Sequence, residues 1–211
     1  MENIITYPKM ETIYKRTSNG LLESVYRNYV FGYLKDCNWI ATEKIDGTNI
    51  RVIWDGYKVS FRGRTDKAQI PSKLLEKLEE MFGGFEMEEI FEQTFGEKTA
   101  ILFGEGYGPG IQNGGNYRKD VSFILFDIYL PEQNLWLRRD NLEDISNTFG
   151  VPLVPIVFEG TLNQIVNFVK TQPDSLFGTA KMEGVVCKPA VDMLDRQGNR
   201  IITKIVVRDF V

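Results

Sequence analysis

Lys44 lies in Glu43-Lys44-Ile45-Asp46-Gly47-Thr48-Asn49, a Lys-x-Asp-Gly core between two apolar-rich stretches that read as strands. A lysine so placed can be a nucleophile that takes AMP or GMP from a nucleoside triphosphate. The attack needs a neutral amine, and a lysine of ordinary pKa, about 10.4, is neutral in only roughly 0.04% of molecules at pH 7. Burial and neighbouring cations favour the neutral form, and Arg64, Lys188 and Lys204 are cations in motif-like surroundings. Four residues with one wildcard also recur by chance. A lysine ahead of an Asp-Gly turn in a hairpin is the plain structural alternative.

The order of the later segments favours the chemical reading. Downstream come Phe61-Arg62-Gly63-Arg64-Thr65, Phe103-Gly104-Glu105-Gly106-Tyr107-Gly108, Phe123-Ile124-Leu125-Phe126-Asp127-Ile128, Glu183-Gly184-Val185-Val186-Cys187-Lys188, and Lys204 in a final apolar run. This series resembles the covalent nucleotidyltransferases, which comprise DNA ligases, RNA ligases and mRNA capping enzymes. Within them it looks most like the RNA ligase 2 family, which includes phage and kinetoplastid RNA-editing ligases. The opening Tyr7-Pro8-Lys9-Met10-Glu11-Thr12-Ile13-Tyr14, the Gly-Thr-Asn ending at Asn49, and Gly104 through Gly115 carry that narrower likeness.

The resemblance runs from about Tyr7 to Phe210. It implies an α+β nucleotidyltransferase domain of antiparallel sheets flanked by helices, and an ATP-dependent RNA ligase of phage-like RNA repair. Such an enzyme forms a lysyl-AMP, moves AMP to a 5′-phosphate RNA end, and joins that end to a 3′-hydroxyl with loss of AMP. Lys44 would be the nucleophile, with Lys188 and Lys204 neutralising the α-phosphate. Glu105 would hold the ribose hydroxyls, because a carboxylate can accept two hydroxyl hydrogen bonds. Phe126 would stack on adenine, with Phe123 its competitor, and Glu43 would touch the adenine edge. Arg64 would contact phosphate. Glu183 would bind Mg2+ (or Mn2+), which takes one or two carboxylates with water and phosphate oxygens, and Asn49 would orient waters of that metal shell. Asp46 is a candidate turn acid.

The implied partner is RNA with 5′-phosphate and 3′-hydroxyl ends, as a nicked duplex or a pre-adenylated strand, met by a cytoplasmic monomer. Glu183 and Lys188 stand at odd spacing, which on a regular strand puts them on opposite faces. The family's last motif usually carries a second lysine two residues after the first; here Val206 stands there and Arg208 is the next cation. A single domain over residues 1–211, without a C-terminal accessory domain, is expected to seal ordinary nicks weakly. A DNA ligase, a capping guanylyltransferase and a catalytically weakened nucleotide- or RNA-binding domain remain as alternatives.

The elements that must position these residues are legible in outline. The chain has 211 residues, 43% hydrophobic, with a net charge of −4. It can bury a sizeable core, and no apolar run is long enough to span a membrane. Zero histidines exclude His nucleophiles, His bases and His-based zinc sites, while Cys37 and Cys187 make neither a disulfide framework nor a Cys-only zinc site. Acidic residues crowd into Glu76 through Glu97, whereas basic residues recur near the motifs, which permits a positive groove on an acidic chain.

Asp55-Gly56 predicts a hairpin between Asn49–Trp54 and Lys58–Phe61. Ser72 is expected to cap a helix through Phe82, ended by Gly83-Gly84, with a second helix near Glu86–Phe95. Thr99–Phe103 and Val121–Leu130 read as buried strands. Asp140-x-x-Glu143 and Thr161-x-x-Gln164 look like capping boxes. Val151–Phe158, with two prolines, reads as an edge strand. Glu183–Lys188 and Arg200–Val207 close the sheet, and Thr171–Thr179 reads as a mobile loop.

Overall fold

A computed structural model describes residues 5–18 and 20–211. The chain divides into two compact units, one central in sequence (Asp46–Val154 with the segment ending at Tyr7) and one flanking it (Pro8–Ile45 with Pro155–Val211). Each has its own sheet and core, and together they make the expected α+β fold of antiparallel sheets and helices. Strands and helices are numbered along the chain.

In the flanking unit, five strands lie in the order β1 (Glu11–Thr12), β12 (Thr203–Val206), β11 (Gly184–Pro189), β4 (Trp39–Glu43) and β10 (Ile156–Gly160). All neighbours are antiparallel except β1 and β12. A separate hairpin of β2 (Tyr14–Thr17) and β3 (Gly20–Tyr26) precedes α1 (Tyr29–Tyr33). Alternation along β4 and β11 buries Trp39, Ala41, Val185 and Cys187 against Leu162, Ile165, Val166 and Val169 of α5 (Leu162–Lys170). The opposite face carries the half-buried Ile40, Thr42, Val186, Lys188 and Lys204.

The central unit has the strand order β6 (Val59–Gly63), β5 (Thr48–Trp54), β7 (Ala100–Tyr107), β8 (Ser122–Leu130) and β9 (Leu135–Trp136). One face packs Ile50, Val52, Trp54, Leu102 and Phe123 against α2 (Ser72–Phe82), α3 (Phe85–Phe95) and α4 (Arg139–Phe149). On the other, Ile53, Ile101, Phe103 and Tyr129 meet Tyr7 and Trp136.

The Asp55-Gly56 hairpin forms as read, with the Asp55 carboxylate accepting from the backbone N–H groups of Tyr57 and Lys58. The Thr161 capping box forms with both of its reciprocal bonds. Three expectations are corrected. Pro71, not Ser72, occupies the N-cap of α2, and Ser72 is its first helical residue. Arg138 stands at the N-cap of α4 with no side-chain cap; Asp140 lies inside the first turn, and Glu143 is taken by Arg139 at 2.7 Å. The Val151–Phe158 stretch does not form one strand. Residues 151–154 pair with β8, through Leu125 N–H to Pro152 O and Val154 N–H to Leu125 O, and β10 starts only at Ile156. Pro152 and Pro155 lack N–H donors, so the run cannot sustain a ladder. β10 is nonetheless an edge strand.

Candidate active site

Lys44 follows the last residue of β4. Its backbone N–H donates to Gly184 O at 3.0 Å, and its ammonium meets Glu183 Oε2 at 2.6 Å. Both side chains are largely shielded, at 23% and 21% exposure, so this pair is screened less than a surface one. The odd spacing of Glu183 and Lys188 does not separate them, because β11 begins at Gly184 and Glu183 lies outside the alternating strand. Gly184 has φ +156°, and a Cβ there would stand 2.2 Å from Ile205 O, so only glycine fits the bend.

Register then fixes the face. Thr42 pairs with Val186, Val186 with Lys204, Lys204 with Thr12, and Lys188 with Ile40. Alternation therefore puts Lys188 and Lys204 on one half-buried face, the face that Lys44 continues from Ile40 and Thr42. Val206, where the second motif lysine is usual, is 2% exposed and belongs to the core. Arg208 is exposed on a short turn beyond it.

Glu43 is buried at the end of β4. It is 1% exposed, and its carboxylate accepts from Ser175 Oγ and from Leu176 N–H. Burial raises its pKa, and these two bonds pull it back. The segment read as a mobile loop is thereby tied to the end of β4. It is closed on itself by Ser175 N–H to Ala180 O and Met182 N–H to Pro173 O.

In the central unit, Asn49 and Glu105 stand directly opposite each other in the β5–β7 register, with Glu105 half-buried. Asn49 Oδ1 is buried and has no hydrogen-bond partner. Such an orphaned acceptor costs about 1–3 kcal/mol unless a donor reaches it. Gly47 approaches β7 closely: a Cβ would stand 2.3 Å from Gly106 O. Asp46 is a turn acid whose Oδ2 accepts from Asn113 Nδ2 at 2.6 Å. Arg64 is exposed just past β6.

Phe126 is the extra residue of a bulge, since pairing passes from Phe103–Asp127 to Gly104–Leu125. It is half-buried, with Tyr7 edge-on at 5.0 Å, whereas Phe123 is fully buried against Phe82. Of the two phenylalanines, only Phe126 keeps a ring surface to offer.

Glu43, Lys44, Glu183, Lys188 and Lys204 thus belong to the flanking unit, and Asn49, Arg64, Glu105 and Phe126 to the central one. Two fully buried polar residues escaped the sequence reading. Arg51 donates to Gly63 O and to Asp66, bracketing Arg64, and Asp127 accepts from the Tyr7 hydroxyl at 2.9 Å. Their signal was available: a lone charge inside an apolar strand such as Phe-Ile-Leu-Phe-Asp-Ile-Tyr-Leu must have a buried partner.

The donor set fits a divalent ion completed by water and phosphate. In the flanking unit Glu183 offers one carboxylate, and no group of three or more acidic, Cys or His ligands occurs among the described residues.

The RNA ligase family matches residues 38–206, and the chain belongs to that family. Solved structures of the Naegleria gruberi RNA ligase share the fold. An apo point mutant superposes with a TM-score of 0.70 at 20% identity, covering 98% of this chain and 56% of that one. A second mutant, with ATP and Mn, gives 0.71 at 20% identity and covers 98% and 57%. A third, with AMP and Mn, gives 0.66 at 21% identity and covers 95% and 57%. The chain therefore spans somewhat over half the length of these proteins.

Proposed function

We propose that this chain is the nucleotidyl-transferring part of an ATP-dependent RNA ligase, acting as a cytoplasmic monomer on RNA with 5′-phosphate and 3′-hydroxyl ends. The observation that carries the reading is the shielded Lys44–Glu183 pair beside Lys188 and Lys204. In the first step the Lys44 nitrogen, having released its proton to water, attacks the α-phosphorus of ATP. An N–P bond forms, the bridging P–O bond breaks, and the oxygen leaves with its electron pair on pyrophosphate. A 5′-phosphate oxygen next displaces Lys44 from AMP. A 3′-hydroxyl oxygen then displaces AMP, its proton passing to water.

Lys188 and Lys204 neutralise charge as it develops on the α-phosphate. Glu183 would hold a divalent metal, which when bound supplies positive charge to the phosphate oxygens; in the central unit, the buried Asn49 Oδ1 would accept from a water. Glu105 binds the ribose, Phe126 stacks on the base, and Arg64 meets phosphate. Glu43 acts by holding the 173–182 loop that leads into Glu183, since Ser175 and Leu176 occupy its oxygens. Among the described residues no helix is long and apolar enough to cross a membrane.

Labelling with α-phosphate-labelled ATP and GTP in parallel, followed by chase with RNA or DNA nicks, tests the reading. Label from ATP that moves to RNA ends supports it. Label from GTP assigns a capping enzyme, and transfer restricted to nicks with a deoxyribose 3′ end assigns a DNA ligase.

A further inference from the structure

Burying a guanidinium is costly unless it is paired and hydrogen-bonded. Arg51 is such a group. It stands in β5 between the buried Ile50 and Val52 and is 0% exposed. Its donors go to three places in the central unit: Nε to Gly63 O at 3.0 Å, Nη2 to Asp66 Oδ1 at 2.7 Å, and Nη1 to Ile5 O at 3.4 Å. The Asp66 side chain is 73% exposed, so this bond reaches from the core to a surface turn. An apolar side chain would pack the sheet at this position; a planar fork is needed to tie separate points of the chain together.

Two of those points flank Arg64. Gly63 ends β6, and the turn that follows closes on itself, with Ala68 N–H donating to Thr65 O at 3.1 Å. Gly63 is packed so closely that an added Cβ would stand 2.9 Å from the Cβ of Ala68. Arg64 lies between the two anchors and is itself exposed. A long side chain on a loose turn samples many positions; on a turn fixed at both ends only its own rotamers remain.

We propose that Arg51 is a positioning residue for the phosphate contact of Arg64, fixing the backbone on either side of Arg64 from inside the sheet. The proposal rests on the reading of Arg64 as a phosphate-binding residue. Fully buried, Arg51 reaches no substrate and acts through the turn alone. Its third bond, to Ile5 O, anchors the segment whose Tyr7 lies edge-on to Phe126 at 5.0 Å.

Coupling between Arg51 and Arg64 provides the test. Arg64→Ala first marks the step in which Arg64 acts, self-adenylylation or sealing of pre-adenylated RNA. Arg51→Lys keeps the charge but loses the fork, and should slow that same step about tenfold or more. In an Arg64→Ala background the same substitution should slow it about twofold or less. Arg51→Met combined with Asp66→Ala removes the clamp without leaving a buried charge unpaired, and should show the same coupling even where Arg51→Lys fails to fold. Equal slowing in both backgrounds overturns the proposal and leaves Arg51 a support of the sheet. Coupling to Phe126→Ala in place of Arg64→Ala overturns it as well, because the Ile5 anchor would then be the one that matters. So does an Arg64→Ala variant that slows neither step. If the unsubstituted chain takes no AMP and seals no pre-adenylated RNA, the ligase reading fails. The same cycle is then read from affinity for magnesium ATP and for 5′-phosphorylated RNA: non-additive losses support the clamp, and additive or absent losses overturn it.

Discussion

At the scale of single residues, what could be read from the sequence was the chemistry of types. Lys44, Glu105, Glu183, Lys188 and Lys204 stand out because they match motif positions to which the resemblance assigns a nucleophile, a ribose acceptor, a metal carboxylate and counter-charges. Glu43 did not stand out as a loop anchor, because its partner Ser175 is 132 residues away in the chain and serine carries no pattern of its own. Burial raises the Glu43 carboxyl above its ordinary value of 4.5. The folded chain therefore holds this proton more tightly than the unfolded one. The group's contribution to stability is full below the ordinary value and is lost as pH rises through the raised one. Between about pH 4 and pH 7, the thermal midpoint of Glu43→Gln should improve relative to the parent; a difference that does not change with pH contradicts this. The two cysteines give a simpler test. Burial pushes the Cys187 thiol far up, whereas Cys37 is exposed. One thiol should react with an alkylating reagent in the native protein and two after unfolding, and rapid native reaction of both would show that the core around Cys187 opens.

Elements were legible where local chemistry decides them. The Thr161 capping box and the Asp55-Gly56 hairpin each need only neighbouring residues, and both formed. Asp140-x-x-Glu143 has an equivalent pattern but failed, because the helix begins ahead of it with Arg138 at the N-cap, and Glu143 pairs with Arg139. The proline-containing stretch from Val151 split because its two halves pair with strands of different sheets, which no local pattern encodes. The start of β11 is the element on which the site depends most. Gly184→Ala would press a Cβ against Ile205 O at a backbone angle that only glycine tolerates. It should cost about 2–4 kcal/mol in denaturant unfolding and displace Glu183 from Lys44. A loss under about 0.5 kcal/mol would mean that the strand relaxes freely at this point.

For the molecule as a whole, the ordered motifs disclosed the family, since their succession along the chain is a property of the sequence alone. The division into two units was hidden, because the boundary between Ile45 and Asp46 runs inside the Lys-x-Asp-Gly motif instead of through a linker. Charge is distributed as composition suggested. The acidic run covers the exposed faces of α2 and α3 in the central unit, while Lys44, Lys188 and Lys204 share a face of the flanking sheet. A net charge of −4 is therefore compatible with a cationic site. The central claim is that Lys44 becomes covalently charged with AMP, and intact mass after incubation with ATP and magnesium, beside Lys44→Ala, tests it most directly. A gain of one AMP, about 329 Da, that vanishes in the variant is the predicted result. No gain in a folded, ATP-binding protein, or an equal gain in Lys44→Ala, would contradict it.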